Sequence, residues 1–154
     1  MGEAIETYVP KDGVSLIPIL AEAVPAFASE IIKILEEKEE SWNKYESVEG
    51  IMTMIYNKQM QLWLGFDKIA IELVVLCSIE RYSVSSVARI MWAGGENVDK
   101  FIPYLPLIEE WALYNGCNKM EVAGRTSWKK LLEPSGYKQS HIVLSKDIVK
   151  ERGH

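Results

Sequence analysis

Two acids stand inside apolar, strand-forming runs. Glu72 is the only acid in residues 69–78, and Glu121 lies between Met120 and Val122 in the short run 119–123. A carboxylate placed there can border a substrate cleft and take a proton. It can equally be an ordinary solvent-facing strand position, because exposed carboxylates are common. His141 could act as a base, as histidines do near neutral pH, yet no partner for it is readable and an edge histidine fits as well. Tyr137 could donate a proton through its phenol or simply pack. Arg125 follows Gly124 at a strand end and, with Lys129, Lys130 and Lys138, forms a basic cluster in an acidic chain. A guanidinium at that point can hold a phosphate or a carboxylate, or tie down a loop over Trp128.

Other chemistries have no footing in the residues. Cys77 and Cys117 are far apart and form no CxxC pair, which reads as two reduced core thiols. With His141 and His154 as the only histidines, no zinc site is readable. The chain has no Gly-x-Ser-x-Gly elbow, P-loop or dinucleotide fingerprint. Its net charge of −5 argues against nucleic acid, whose backbone needs clustered Lys and Arg. The aromatic residues are not interleaved with cations as a base-stacking platform requires. Residues 1–10 lack the basic region of a signal peptide, and the longest apolar run, 69–79, is too short to span a bilayer. A cytoplasmic protein that engages neither membrane nor nucleic acid is expected.

The elements that would position these groups follow from periodicity. Residues 5–9 alternate and precede Pro10, Asp12 and Gly13, as a first strand and turn would. Val14, Ile17, Leu20 and Ala21 predict a helix over 14–23, and Phe27, Ile31, Ile34 and Leu35 a second over 26–39. Ser47 is an N-cap for a third helix over 48–57. Three strands follow at 61–67, 69–78 and 84–92, the simplest arrangement being an antiparallel meander. Residues 93–97, Ala-Gly-Gly-Glu-Asn, read as a flexible loop. Phe101, Leu105, Ile108 and Ala112 line a helix that stops at Asn115–Gly116. Strands at 119–123 and 137–145 flank a short helix over 126–132. The expected fold is α/β (α+β), one domain over 1–154, with a mixed, mostly antiparallel sheet and helices on both faces.

Within residues 111–148, the sequence carries Trp111, Ala112, Gly116, Cys117, Glu121, Gly124, Arg125, Trp128, Leu131, Gly136 and Tyr137. This set resembles small GNAT-like proteins encoded by tailed phages: a helix ending in Gly-Cys, a strand ending in Gly-Arg, a nearby Trp, then Gly-Tyr and a closing strand. The resemblance implies the GNAT N-acyltransferase fold, in which the fourth and fifth strands part at a bulge. Unpaired backbone in the gap then receives the pantetheine arm of acetyl-CoA as an added strand would be received. Carried onto this chain, Ile90, Met91, Trp92, Gly94, Gly95, Asn97 and Arg125 would contact the cofactor. Glu72 or Glu121 would be the base and Tyr137 the acid. The acceptor would be an amine on a small molecule or a protein.

Two departures from the family pattern point to an alternative, a catalytically silent GNAT-fold phage protein that serves as a virion, assembly or host-interaction component and binds a phage or host protein. The glycines of the pyrophosphate loop are shifted, and Glu96 adds a charge that repels phosphate by about 1 kcal/mol when solvated. The position four residues before Gly136, where many of these enzymes carry an acidic Tyr, is Leu132, which has no proton to give.

Overall fold

The computed structural model describes residues 13–41, 46–124 and 127–149, so the strand expected at 5–9 and the side chain of Arg125 lie outside the described residues. The chain divides into two compact units, Met1–Gly124 and Arg125–His154.

The first unit is built on a five-stranded sheet in the order β1-β2-β3-β4-β5. The strands are β1 (Val14–Ile19), β2 (Gln61–Asp67), β3 (Ala70–Arg81), β4 (Ser86–Gly95) and β5 (Lys119–Val122). The first four pair antiparallel in sequence order, and β5 runs parallel to β4. The meander was legible because the short polar breaks between these apolar runs leave room only for hairpins. The parallel pairing requires a crossover, which the segment 96–118 supplies.

The helix expected over 14–23 is instead β1 followed by a 3-10 helix, Ala21–Phe27. Two members of the supposed helical stripe face solvent, Ile17 at 37% exposure and Leu20 at 69%, while Val14, Leu16 and Ile19 are buried. Pairing with β2 overrode the local pattern. Pro18 is tolerated because β1 is the sheet edge, where a missing N–H need not break a ladder.

Helices cover both faces. On one face lie α1 (Ala28–Glu37) and α2 (Val48–Tyr56). Ile31, Leu35, Ile51, Met52 and Ile55 pack there with Leu62, Leu64, Val74, Leu76 and Trp92. The side chain of Ser47 accepts the Gly50 N–H at 2.9 Å and caps α2 as expected.

On the other face a 3-10 helix, Val98–Tyr104, leads into α3 (Leu105–Tyr114). Its stripe of Phe101, Leu105, Ile108 and Ala112 is buried as read from the sequence. Gly65 makes room for it: a Cβ there would lie 2.7 Å from the Phe101 ring and 2.8 Å from Leu73 Cβ. Trp63, fully buried, meets Trp111 edge to face at 6.2 Å. Gly116, at φ +82°, ends the segment.

The second unit contains α4 (Ser127–Leu132) and a 3-10 turn, Glu133–Ser135, closed by Gly136 at φ +92°. The strand expected at 137–145 is absent, since those residues carry no strand assignment. Its apolar residues Ile142, Val143 and Leu144 are consecutive rather than alternating and are 66–87% exposed. Strand propensity alone cannot hold a strand that has no partner.

Candidate functional site: the parting of the fourth and fifth strands

β4 and β5 are paired over four rungs only, Val87↔Lys119 to Ile90↔Val122. One further backbone bond, from the Ala123 N–H to the Ile90 carbonyl at 3.0 Å, ends the ladder. β4 runs on through Gly95 alongside β3, but among the described residues no strand accompanies it on the other side. Among the described residues β4 thus has no strand neighbour on that side over 91–95, which leaves a sheet edge there.

A bulge sits at the point of parting. Leu76 opposes Trp92 and Cys77 opposes Ile90, so Met91 is the extra residue. Its side chain is 39% exposed. An extra residue bends the strand and sharpens its twist, which turns β4 away from β5 just where pairing stops. Trp92, by contrast, is built into the core beneath α1 and α2.

The far end of β4 differs from the expected loop over 93–97. The strand continues to Gly95, leaving Glu96 and Asn97 to connect it to the 3-10 helix. A second bulge explains this. Gly65 opposes Leu73 and Phe66 opposes Ile71, so Glu72 is the extra residue of β3. Its carbonyl is pushed against Gly95, where a Cβ would lie 2.0 Å away, and accepts the Glu96 N–H at 2.8 Å. Gly95 stands at φ +148°, a region glycine alone enters readily. Gly94 has no space either, since its Cβ would meet the Trp92 ring at 2.2 Å. Both glycines are thus required by packing. Asn97 takes a left-handed turn, φ +53°, before the 3-10 helix.

The two candidate carboxylates are held at opposite ends of this open edge. Glu121 pairs in register with Arg89, one rung before the ladder ends. Arg89 Nη2 and Nε both donate to Glu121 Oε1, at 2.7 and 3.1 Å. Glu72 lies beside Gly95, four residues beyond Met91, or about 13 Å along a strand rising ~3.3 Å per residue. Its carboxylate meets Lys100 Nζ at 2.7 Å, and the same ammonium meets Asp67 at 2.6 Å. The hydrogen bond that Lys100 donates to Asp67, followed by that to Glu72, raises the Lys100 pKa, and the same bond to Asp67 lowers that of Asp67.

Tyr137 lies in the second unit, its N–H donating to the Leu132 carbonyl at 3.3 Å. His141 is exposed, with Ser140 Oγ 3.0 Å from Nδ1. Cys77 and Cys117 are free and buried, and burial pushes the Cys77 thiol up to about 12. Among the described residues no cluster of three or more His, Cys, Asp or Glu could hold a metal, and no helix is long and apolar enough to cross a membrane.

Sequence reading missed Arg89 and Lys100 as partners of the two acids. The signal for Arg89 was present, since it is the sole charge in residues 84–92, just as Glu72 is in residues 69–78. Lys100 gave no such signal, because its partners are distant in sequence.

No protein-family model matches the sequence, and no curated protein matches it. Solved structures do. An aminoglycoside acetyltransferase from an uncultured soil metagenomic sample, in complex with sisomicin, superposes with a TM-score of 0.65 at 11% identity, covering 90% of this chain and 97% of that one. A GNAT family acetyltransferase from Staphylococcus aureus superposes at 0.63 and 9% identity, covering 88% and 99%. The chain has the GNAT fold. A ribosomal-protein-alanine N-acetyltransferase from Brucella melitensis biovar Abortus is similar to the same degree, with a TM-score of 0.64 at 9% identity over 90% and 99%. Identities this low speak to the GNAT architecture and leave the chemistry to the residues of the site.

Proposed function

We propose that this chain is an N-acyltransferase that moves an acetyl or related acyl group from acyl-CoA to an amine. The observation that carries the reading is the parting of β4 from β5 after Ile90 and Val122, with the bulge at Met91. Where two strands part, an extended amide-bearing arm can be received as a sheet receives a strand. The pantetheine arm of acetyl-CoA is such a group, and the bound thioester supplies the activated acyl carbon. Backbone of Ile90, Met91, Trp92, Gly94 and Gly95 would line it, with Asn97 toward the phosphates.

In the transfer, the amine nitrogen bonds to the thioester carbonyl carbon, the carbon–sulfur bond breaks, and the thiolate leaves. The amine must lose a proton. Glu121 is the carboxylate next to the fork and is the better-placed base, while Glu72 stands at the phosphate end. Tyr137 remains the proposed acid for the thiolate. Backbone N–H groups at the bulge would stabilise charge on the carbonyl oxygen, and with positioning could supply most of the rate. Solved neighbours of the same fold act on amines of both kinds, an aminoglycoside and a ribosomal protein by their descriptions. A small molecule and a protein are both reasonable acceptors here.

A second reading is favoured by the far end of β4. The Glu96 N–H is already bonded to Glu72, and the Glu96 carboxylate lies 3.5 Å from Lys38. These groups offer nothing to a pyrophosphate. A GNAT-fold protein without chemistry, acting as a phage virion, assembly or host-interaction component, accounts for that.

Thermal unfolding with acetyl-CoA separates the two. A ligand at a hundred times its Kd stabilises the folded state by about 2.7 kcal/mol. For a chain of this size that is a Tm rise of roughly 5–10 °C at about 2–4 °C per kcal/mol. No rise at millimolar acetyl-CoA overturns the acyltransferase reading.

A further inference from the structure

On the sheet face that carries α1 and α2, the apolar rows of β3 and β4 give way to a polar strip toward the β3–β4 hairpin. Register sets Ser78 beside Arg89 and Arg89 beside Glu121. Glu80, two residues from Ser78 along β3, shares that face. Arg89 is the hub. Two of its nitrogens converge on Glu121 Oε1, and Nη1 lies 3.9 Å from Glu80 Oε1. The Tyr82 side chain also bonds to it. Lys119 Nζ is 3.7 Å from the other Glu121 oxygen. Arg89 and Glu121 are well shielded, at 23% and 17% side-chain exposure, whereas Glu80 is at 47% and Lys119 at 54%.

We infer that Arg89 is a positioning residue for the transfer, its guanidinium fixing the Glu121 carboxylate in one orientation, ionised, beside the β4–β5 fork. This rests on the acyltransferase reading, because only a fork that receives a thioester gives that orientation a consequence. The geometry is stronger than a surface ion pair requires. Two N–H bonds from one planar guanidinium converge on Glu121 Oε1, at 2.7 and 3.1 Å, and hold that oxygen in place as a single ammonium donor would not. Its place matters as well, since the pair is the penultimate rung of the ladder and the next rung is where the strands part. A glutamate on a four-residue edge strand would otherwise sample several rotamers. The hydrogen bonds that Arg89 donates to Glu121 first, and its bond with Tyr82 second, raise the Arg89 pKa, so the cation persists through any accessible pH.

The test uses the full chain with Arg89→Gln, Arg89→Lys and Glu80→Gln. The δ-carboxyl of Glu121 is followed by carbon NMR across pH. Its titration midpoint is expected to rise in Arg89→Gln, to stay near the wild-type value in Arg89→Lys, and to move little in Glu80→Gln. A midpoint unmoved by Arg89→Gln overturns the inference. Thiol release from acetyl-CoA is measured with benzylamine, spermidine and a polylysine peptide as acceptors. Arg89→Gln should lower kcat by about 10-fold or more, leave KM for acetyl-CoA unchanged, and carry the acid limb of the pH profile upward with the NMR midpoint. Arg89→Lys, which keeps the charge and loses the two-nitrogen grip, should lower kcat with no shift of that limb. A raised KM with unchanged kcat overturns the inference. Calorimetric binding of acetyl-CoA to the same samples distinguishes the failures. Wild type that neither binds acetyl-CoA nor releases thiol sinks the acyltransferase reading and this inference with it. Binding accompanied by an unmoved Glu121 midpoint sinks the role of Arg89 alone.

Discussion

Gly95→Ala separates packing from cofactor contact as the reason for the glycine at the end of β4. The residue sits at φ +148°, and a Cβ would lie 2.0 Å from the Glu72 carbonyl oxygen and 3.0 Å from Leu73 Cα. A side chain in that region of backbone space costs about 1–3 kcal/mol. The obstacle is backbone rather than the end of a flexible side chain, so the bulge at Glu72 must shift by an ångström or more. That shift breaks the bond from the Glu96 N–H to the Glu72 carbonyl, now 2.8 Å, a net loss of about 0.5–1.5 kcal/mol. Together these give roughly 2–4 kcal/mol, or a Tm lower by roughly 5–15 °C at about 2–4 °C per kcal/mol. Circular dichroism melts and urea titrations of wild type and variant measure it. A Tm within about 2 °C of wild type refutes the packing account. A variant that keeps its Tm but no longer binds acetyl-CoA would show that Gly95 serves the ligand's close approach instead.

Ser47→Ala removes the acceptor of the Gly50 N–H and should lower stability by about 1 kcal/mol, read from the urea midpoint. The Asp67–Lys100–Glu72 cluster gives a pH dependence. Asp67 has a lowered folded pKa, so its contribution is present above the unfolded value of 3.8 and is lost as pH falls through the folded value. Lys100 has a raised one, so its contribution is full below the unfolded value of 10.5 and fades as pH rises through the folded value. Lys100→Met should therefore flatten both the acid and the alkaline limbs of urea midpoint against pH, and unchanged limbs would count against the cluster. Buried Cys77, with its thiol near 12, should resist alkylation at pH 8 in the native state and react once urea unfolds the chain, as mass spectrometry of the labelled protein would record.

Much of the scaffold was determined by local sequence. The strands expected over 61–67, 69–78 and 84–92, the Ser47 cap, the Phe101 to Ala112 stripe and the stop at Gly116 follow from periodicity, capping and turn chemistry, which act over a few residues, although the second and third of these strands run on to Arg81 and Gly95. Glu72 and Glu121 stood out for the same reason, as lone acids in strand-forming runs. Where local preference conflicted with pairing, pairing decided. Residues 14–19 became an edge strand because β2 offered them a ladder, and 137–145 stayed unpaired despite their β-forming composition. Only the tertiary structure could place the bulges at Met91 and Glu72, because a bulge is a mismatch between two strands and is written in neither one alone. The same holds for the ion pairs. Arg89 meets Glu121 across 32 residues and Lys100 meets Asp67 across 33, distances over which sequence spacing carries no geometric information. The chain specified its strands and its charges. The register between strands decided which charge meets which, and where the sheet opens.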